Sequence, residues 1–323
     1  MPNQATVDWT AGKKTVADLG EIRKEYSEVR EFVASPDGER IAVVVRKDDD
    51  VVGVCVNGQV WEQDLEKAWH LAFGPDNRLT ALVRVDDEWT VAVDGELWEE
   101  RYEFVWNTKF SADGSRIAAQ MKQDMRYGVS VNGQAWETLY ASCRDYALSG
   151  DGESVAALVQ VEDLPEADIF KFLEGTWSVA VNEQPWERKY LNVYAPCFDE
   201  TGKRVAVEVR TDATQYTVAE DDEPWETKYT CVWEPSFRPG HRGIVVPVRV
   251  SGAWTLAEGG KPLWKNRFMQ LWRQRFSPDG KRIAAVVAPS YGRWTIAVDD
   301  VAWDQTFGDM VLAPLFSPDG KHV

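Results

Sequence analysis

Three histidines in 323 residues leave little material for acid–base or metal chemistry. His70 stands beside Trp69, His241 lies in a turn sequence and His322 is next to last, so no spacing among them makes a ligand set. The four cysteines (Cys55, Cys143, Cys197, Cys231) occur singly, which points to packed, reduced thiols. A Cys-x-x-Cys-His haem attachment and the clustered cysteines of an iron–sulfur site are both missing. Acids gather at Asp48-Asp-Asp50, Asp86-Asp-Glu88 and Asp221-Asp-Glu223, without the spacing of a calcium loop, and read as solvated turns. No Gly-x-Ser-x-Gly elbow, phosphate loop or dinucleotide fingerprint is present. A carboxylate pair leaves no local motif, so a hydrolase stays a distant alternative. The expectation is a non-enzyme with no metal and no cofactor.

What the chain has in excess is tryptophan, 16 in all, and every one but Trp9 falls at one of three recurring positions. The first follows an Asn-Gly or Asp-Gly type turn: Trp61, Trp98, Trp136, Trp186, Trp225, Trp264 and Trp303. One large ring per repeat at one place is a packing element. The second opens the preceding strand, at Trp89, Trp177, Trp254 and Trp294, with Tyr127 and Tyr216 as substitutes, and also reads as packing. The third, Trp69, Trp106, Tyr194, Trp233 and Trp272, lies four residues before the aromatic of an inner strand, with Arg144, Leu312 and Val29 in the remaining repeats. Bases end many second strands: Arg46, Arg84, Lys122, Arg210 and Arg249. Alternation of strand direction puts these bases and the third group of aromatics on one face. Aromatics with arginines are the composition of interface hot spots. The candidate protein-binding residues are therefore Trp69, Trp106, Tyr194, Trp233, Trp272, Arg84, Arg210 and Arg249, with Phe170 and Phe172 from an insertion at 161–176. The alternative is that the rings are buried between repeats, which their solvent exposure decides.

The elements that would position these residues repeat down the chain. Ser35-Pro-Asp-Gly38 recurs as Gly74-Pro-Asp-Asn77, Ser111-Ala-Asp-Gly114, Ser149-Gly-Asp-Gly152, Asp199-Glu-Thr-Gly202, Arg238-Pro-Gly-His241, Ser277-Pro-Asp-Gly280 and Ser317-Pro-Asp-Gly320. Proline fixes φ early in the turn and glycine supplies positive φ at its end. A period near 40 residues, with four short strands per repeat, is that of β-propeller blades. The expected fold is an all-β propeller of four-stranded antiparallel blades, one domain over 1–323. Eight blades are preferred over seven, the eighth being closed jointly by the C-terminal piece, Pro314 to Val323, and outer strands at Ala5–Gly12 and Glu21–Val29. In the insertion, Asp163, Pro165 and Gly175 suggest a short capped helix.

The Ser-Pro-Asp-Gly-Lys-Arg-Ile-Ala segment at 277–284 resembles the Pro-Asp, WD40-like repeats of TolB-type propellers over nearly the whole chain. The tryptophan-rich units, the acidity and the lack of a visible signal peptide are similar to the TmcD subunits of the Tmc transmembrane electron-transfer complex of sulfate-reducing bacteria. The resemblance implies a cofactor-free subunit whose partners are iron–sulfur and membrane cytochrome subunits.

Bulk properties set limits on partners. Thirty-six Lys and Arg against 53 Asp and Glu give a formal charge of −17, which repels nucleic acid and anionic membrane surfaces. No apolar run is long enough to span a bilayer, so no direct membrane insertion is expected. The N-terminus lacks a charged start followed by an apolar core, so a cytoplasmic location follows, peripheral to the inner membrane through partner subunits. The functional expectation is a non-catalytic interaction subunit of a membrane-associated electron-transfer complex. The alternative is a small-molecule or glycan binder using aromatics at the channel mouth.

Overall fold

The structure is a computed structural model and describes residues 13–164 and 168–323. Within these residues the chain forms seven four-stranded antiparallel sheets, each with its strands in sequence order. They span 29–60, 67–97, 104–135, 142–185, 192–224, 236–262 and 270–302. The chain divides into two compact units, Met1–Ser142 with Gly150–Glu153, and Cys143–Ser149 with Ser154–Val323. The first three sheets belong to the first unit and the other four to the second.

Two turn chemistries recur through the sheets. In the first, the Ser111 hydroxyl donates to Asp113 (2.7 Å) and accepts from the Arg116 N–H (3.0 Å), while Asp113 also accepts from Ser115 N–H (2.9 Å). Ser35, Ser277 and Ser317 repeat the arrangement. The serine hydroxyl and the turn N–H groups hold the Asp113 and Asp279 carboxyls down at about 2. In the second turn both central residues have positive φ, as at Asn132 (50°) and Gly133 (80°) or Asp299 (48°) and Asp300 (75°), the two-residue hairpin turn that matches strand twist. Outside the sixth sheet, where it is Gly259, the first residue is Asn or Asp for a further reason. Its side chain accepts from the N–H that starts the second strand: Asn57 from Ile41 (2.8 Å), Asn132 from Ile117 (2.9 Å), Asp221 from Val205 (2.8 Å) and Asp299 from Ile283 (2.8 Å).

Second strands such as Val205–Arg210 and Ile283–Ser290 are buried on both sides over most of their length. This accounts for their unbroken apolar runs. Most of the hydrophobic clusters lie between consecutive sheets of each unit. Trp98 and Tyr102 of the second sheet pack with Ile117 and Ala119 of the third, and Trp264 and Phe268 of the sixth with Ile283 and Ala285 of the seventh.

Seven sheets, consistent with seven blades, replace the preferred eight. The Ser317–Gly320 turn forms and Arg282 reaches the carbonyls of Gly320 and Lys321 (3.2 and 3.0 Å), but 303–323 contains no strand. Glu21–Val29 is not an outer strand either. Leu19–Glu25 is a helix, α1, because Asp18 accepts from the N–H groups of Gly20 (2.8 Å) and Glu21 (3.2 Å), and Ile22 packs on Val43, Val45 and Cys55. The chain enters its first strand only at Val29. The expected strand at Ala5–Gly12 lies outside the described residues.

In the insertion, Ile169–Glu174 forms a second short helix, α2. Asp168, not Asp163, caps it, accepting from Phe170 (3.0 Å) and Lys171 (3.1 Å), and Gly175 leaves it at φ 90°. Pro165 lies outside the described residues. Among the described residues no helix is long and apolar enough to cross a membrane.

Candidate protein-interaction surface

A bulge places four of the third group of aromatics, Trp69, Trp106, Tyr194 and Trp272. In the first strand of the second sheet Trp69 pairs with Leu82, after which the register shifts before Ala72 pairs with Thr80. His70, directly after Trp69, takes φ 53°. Asn107 after Trp106, Ala195 after Tyr194 and Arg273 after Trp272 repeat this, at 54°, 49° and 54°. In the first sheet Glu31 does so at 55°, so Arg30, paired with Val44, occupies the position expected for Val29. A bulge inserts one residue and re-aims its neighbours. Here it lets one strand turn an aromatic outward at one end and an apolar core residue inward at the other.

In the first unit the result is a continuous ridge of rings. Trp69 meets Trp89 edge-on at 6.3 Å between centroids and lies 6.2 Å from Phe104. Phe104 meets Trp89 at 5.4 Å and stacks with Trp106 at 5.8 Å, and Trp106 meets Tyr127 at 6.1 Å. His70 extends the row beside Trp69 at 6.1 Å. Trp69 and Phe104 are 36% and 37% exposed, while Trp106 is half-buried. Phe104 is a ridge member that the third-group spacing misses. It lies two residues before Trp106 on the same strand face, a period-2 signal present in the sequence.

The bases of this face are held in place rather than free. Arg84 pairs with Asp87 at 2.6 Å and Glu66 at 3.5 Å, and Lys122 pairs with Glu103 at 3.1 Å. They fix the turn between second and third strands and border the rings with neutralised charge.

The second unit carries the same positions with different neighbours. The Arg144 guanidinium lies 3.9 Å from the Trp177 ring centroid and donates to Asn192. Tyr194 is half-buried, and Arg210 lies 5.7 Å from the Tyr216 centroid while donating to the Ala213 carbonyl (2.6 Å). Arg249 donates to the Gly252 carbonyl (3.2 Å). Trp233, 43% exposed, stacks on Trp254 at 5.5 Å, and half-buried Trp272 lies 4.7 Å from Trp294. Between the two pairs is a cleft of about 300 Å³ lined by Trp233, Glu234, Trp272, Arg273 and Gln274. The buried Gln274 amide anchors its floor, donating to the Glu234 carbonyl (2.7 Å) and Ser236 Oγ (3.0 Å). Phe170 on α2 is 79% exposed and Phe172 half-buried, and no residue of α2 is buried.

The cysteines are free, and burial pushes the Cys197 thiol up to about 12, which makes it inert. Among the described residues no group of three or more His, Cys, Asp and Glu is placed to hold a metal ion.

No family model matches the chain, and no curated protein does. Solved structures to which it is similar include the Dos1 propeller, at 10% identity and a TM-score of 0.41 over 80% of this chain and 74% of that one. A eukaryotic initiation factor is similar at 12% identity and a TM-score of 0.39, over 87% of this chain and 88% of that one. The β-propeller domain of the Trilobed protease from Pyrococcus furiosus is similar at 12% identity and a TM-score of 0.37, over 86% and 96%. Two of these three are propellers by description, the fold with which the seven sheets are consistent.

Proposed function

We propose that this chain is a non-catalytic binding scaffold that docks another protein subunit on the aromatic ridge of its first unit. The observation that carries the reading is the ridge itself: Trp69, Phe104 and Trp106 run side by side, with Trp69 and Phe104 more than a third exposed. Rings fixed by their neighbours lose little freedom on binding, which is why such residues dominate hot spots. The sequence resemblance supplies the kind of partner, the iron–sulfur and cytochrome subunits of a membrane-associated electron-transfer complex. This chain would sit on the cytoplasmic side, held at the membrane by those partners. Affinity purification from native cells tests it. The wild-type protein is expected to bring down subunits with haem or iron–sulfur absorbance, and the Trp69→Ala/Phe104→Ala double variant to lose at least nine-tenths of them. Recovery of the wild-type protein alone overturns the reading.

One observation favours a second reading, small-molecule or glycan binding: one cleft is lined by two tryptophans, Trp233 and Trp272, together with a carboxylate, Glu234. Titration with a panel of oligosaccharides, read by calorimetry, is expected to show saturable binding that Trp233→Ala removes. No heat with any of them rejects this reading.

A further inference from the structure

Every sheet repeats one pair of large side chains on its outer half. A tryptophan follows the hairpin turn, and four residues on a second side chain is bridged to the first residues of the third strand: Leu65 to Val52, Tyr102 to Trp89, Tyr190 to Trp177, Tyr229 to Tyr216 and Phe268 to Trp254. In these five sheets, each followed by another in the same unit, the bridged side chain is 1%, 2%, 4%, 7% and 4% exposed. The seventh sheet holds Phe307 in the same way, by reciprocal backbone bonds with Trp294 of 2.9 and 2.8 Å. Yet Phe307 is 50% exposed, Trp303 43% and Val301 66%. The segment after it covers only the inner half of this sheet, where Val311, Phe316 and Val323 pack on Ala284, Val286 and Ile296.

The chain itself shows what covers such a pair. In each case it is the third–fourth strand hairpin of the following sheet. An ideal Cβ on Gly133 would come within 3.0 Å of the Trp98 ring, and one on Gly95 within 3.4 Å of Trp61. Tyr102 donates its hydroxyl to Ser130 Oγ (2.8 Å), and Tyr229 to the Gly260 carbonyl (2.9 Å). Where the turn is Asp-Asp, the second aspartate accepts from the two N–H groups after the tryptophan. Asp222 takes those of Glu187 (2.9 Å) and Arg188 (3.3 Å), and Asp300 those of Lys265 (2.9 Å) and Asn266 (3.1 Å). The equivalent donors of the seventh sheet, the N–H groups of Asp304 and Gln305, have no protein acceptor among the described residues.

We infer that the outer half of the seventh sheet is a docking site for a β-hairpin supplied from outside residues 13–164 and 168–323, one with a carboxylate at the second position of a two-residue turn. Continuity with the five internal interfaces selects this occupant: the apolar pair takes the hairpin's flat face, and the two N–H groups take its carboxylate. The surface is distinct from the aromatic ridge and is read with a different probe, so either reading can fail alone.

The test uses a peptide of residues 293–304, the hairpin that covers Trp264 in this chain, closed by a disulfide between added terminal cysteines so that it is ordered before binding. Titrated into the full chain by calorimetry, it is expected to bind saturably at one site. Trp303→Ala and Phe307→Ala in the protein each weaken it at least tenfold, and Asp300→Ala in the peptide about tenfold. Both protein positions are exposed, and unchanged thermal unfolding confirms that the variants fold. No saturable binding up to about millimolar peptide, or binding indifferent to Trp303→Ala, overturns the proposal. So does self-association of the protein that Trp303→Ala abolishes, since the face then belongs to a second copy.

Discussion

Glu208→Gln is expected to stabilise the protein above pH 8 and to leave it unchanged near pH 4. Glu208 lies in the second strand of the fifth sheet, between Tyr194 and Val218, only 8% exposed. Among the described residues no hydrogen bond reaches its carboxyl. Burial, with the Glu234 carboxylate adding to it, pushes Glu208 up to about 8 from an ordinary 4.5. The folded protein therefore binds a proton that the unfolded chain releases between about pH 4.5 and 8, and stability falls as pH rises through that window. Below it both states are protonated, and Gln and Glu are nearly equivalent. Moving a carboxyl from 4.5 to about 8, at about 1.4 kcal/mol per pH unit, bounds the gain at about 5 kcal/mol. Urea unfolding of the two proteins at pH 4, 6 and 8.5 measures it. Curves that shift by the same amount at all three values would reject a buried, protonated Glu208.

The same residue shows where the sequence stops being informative. Val205-Ala-Val-Glu-Val reads correctly as a strand, because β-branched residues flank it and Asp221 terminates the hairpin behind it. Nothing in that pentapeptide says that the fourth side chain faces a dry interior, since that depends on the sheets packed on either side. The turns were legible for the opposite reason. Asn132 and Asp299 satisfy their own hairpins through bonds within one repeat, so their chemistry is written locally. Asp18-Leu-Gly-Glu-Ile-Arg-Lys-Glu25 also held a local signal, a capping aspartate with acid before base along one turn, but expectation of a ring-closing strand displaced it. Trp69 and Trp106 were legible as a register. Phe104 shares the strand face of Trp106 by its period-2 spacing, but that it also meets Trp69 shows only once two consecutive sheets pack.

Identical sequence roles should then give opposite energetics when one partner sheet differs. Phe268 and Phe307 each follow a tryptophan by four residues and each bridge back to a tryptophan opening a third strand, Trp254 and Trp294. Phe268, 4% exposed, lies in the cluster with Leu271, Ile283 and Ala285, so truncation removes a full aromatic side chain from a packed site and leaves a cavity. Phe268→Ala is expected to cost about 3–5 kcal/mol in urea unfolding. Phe307 is half exposed and its backbone bonds survive truncation, so Phe307→Ala is expected to cost under about 1 kcal/mol. The difference should narrow when the closed hairpin peptide saturates the protein, because its affinity for wild type adds to stability while the variant gains little. Equal losses in the two variants without peptide would mean that the seventh sheet is already covered, and with it the docking site would go.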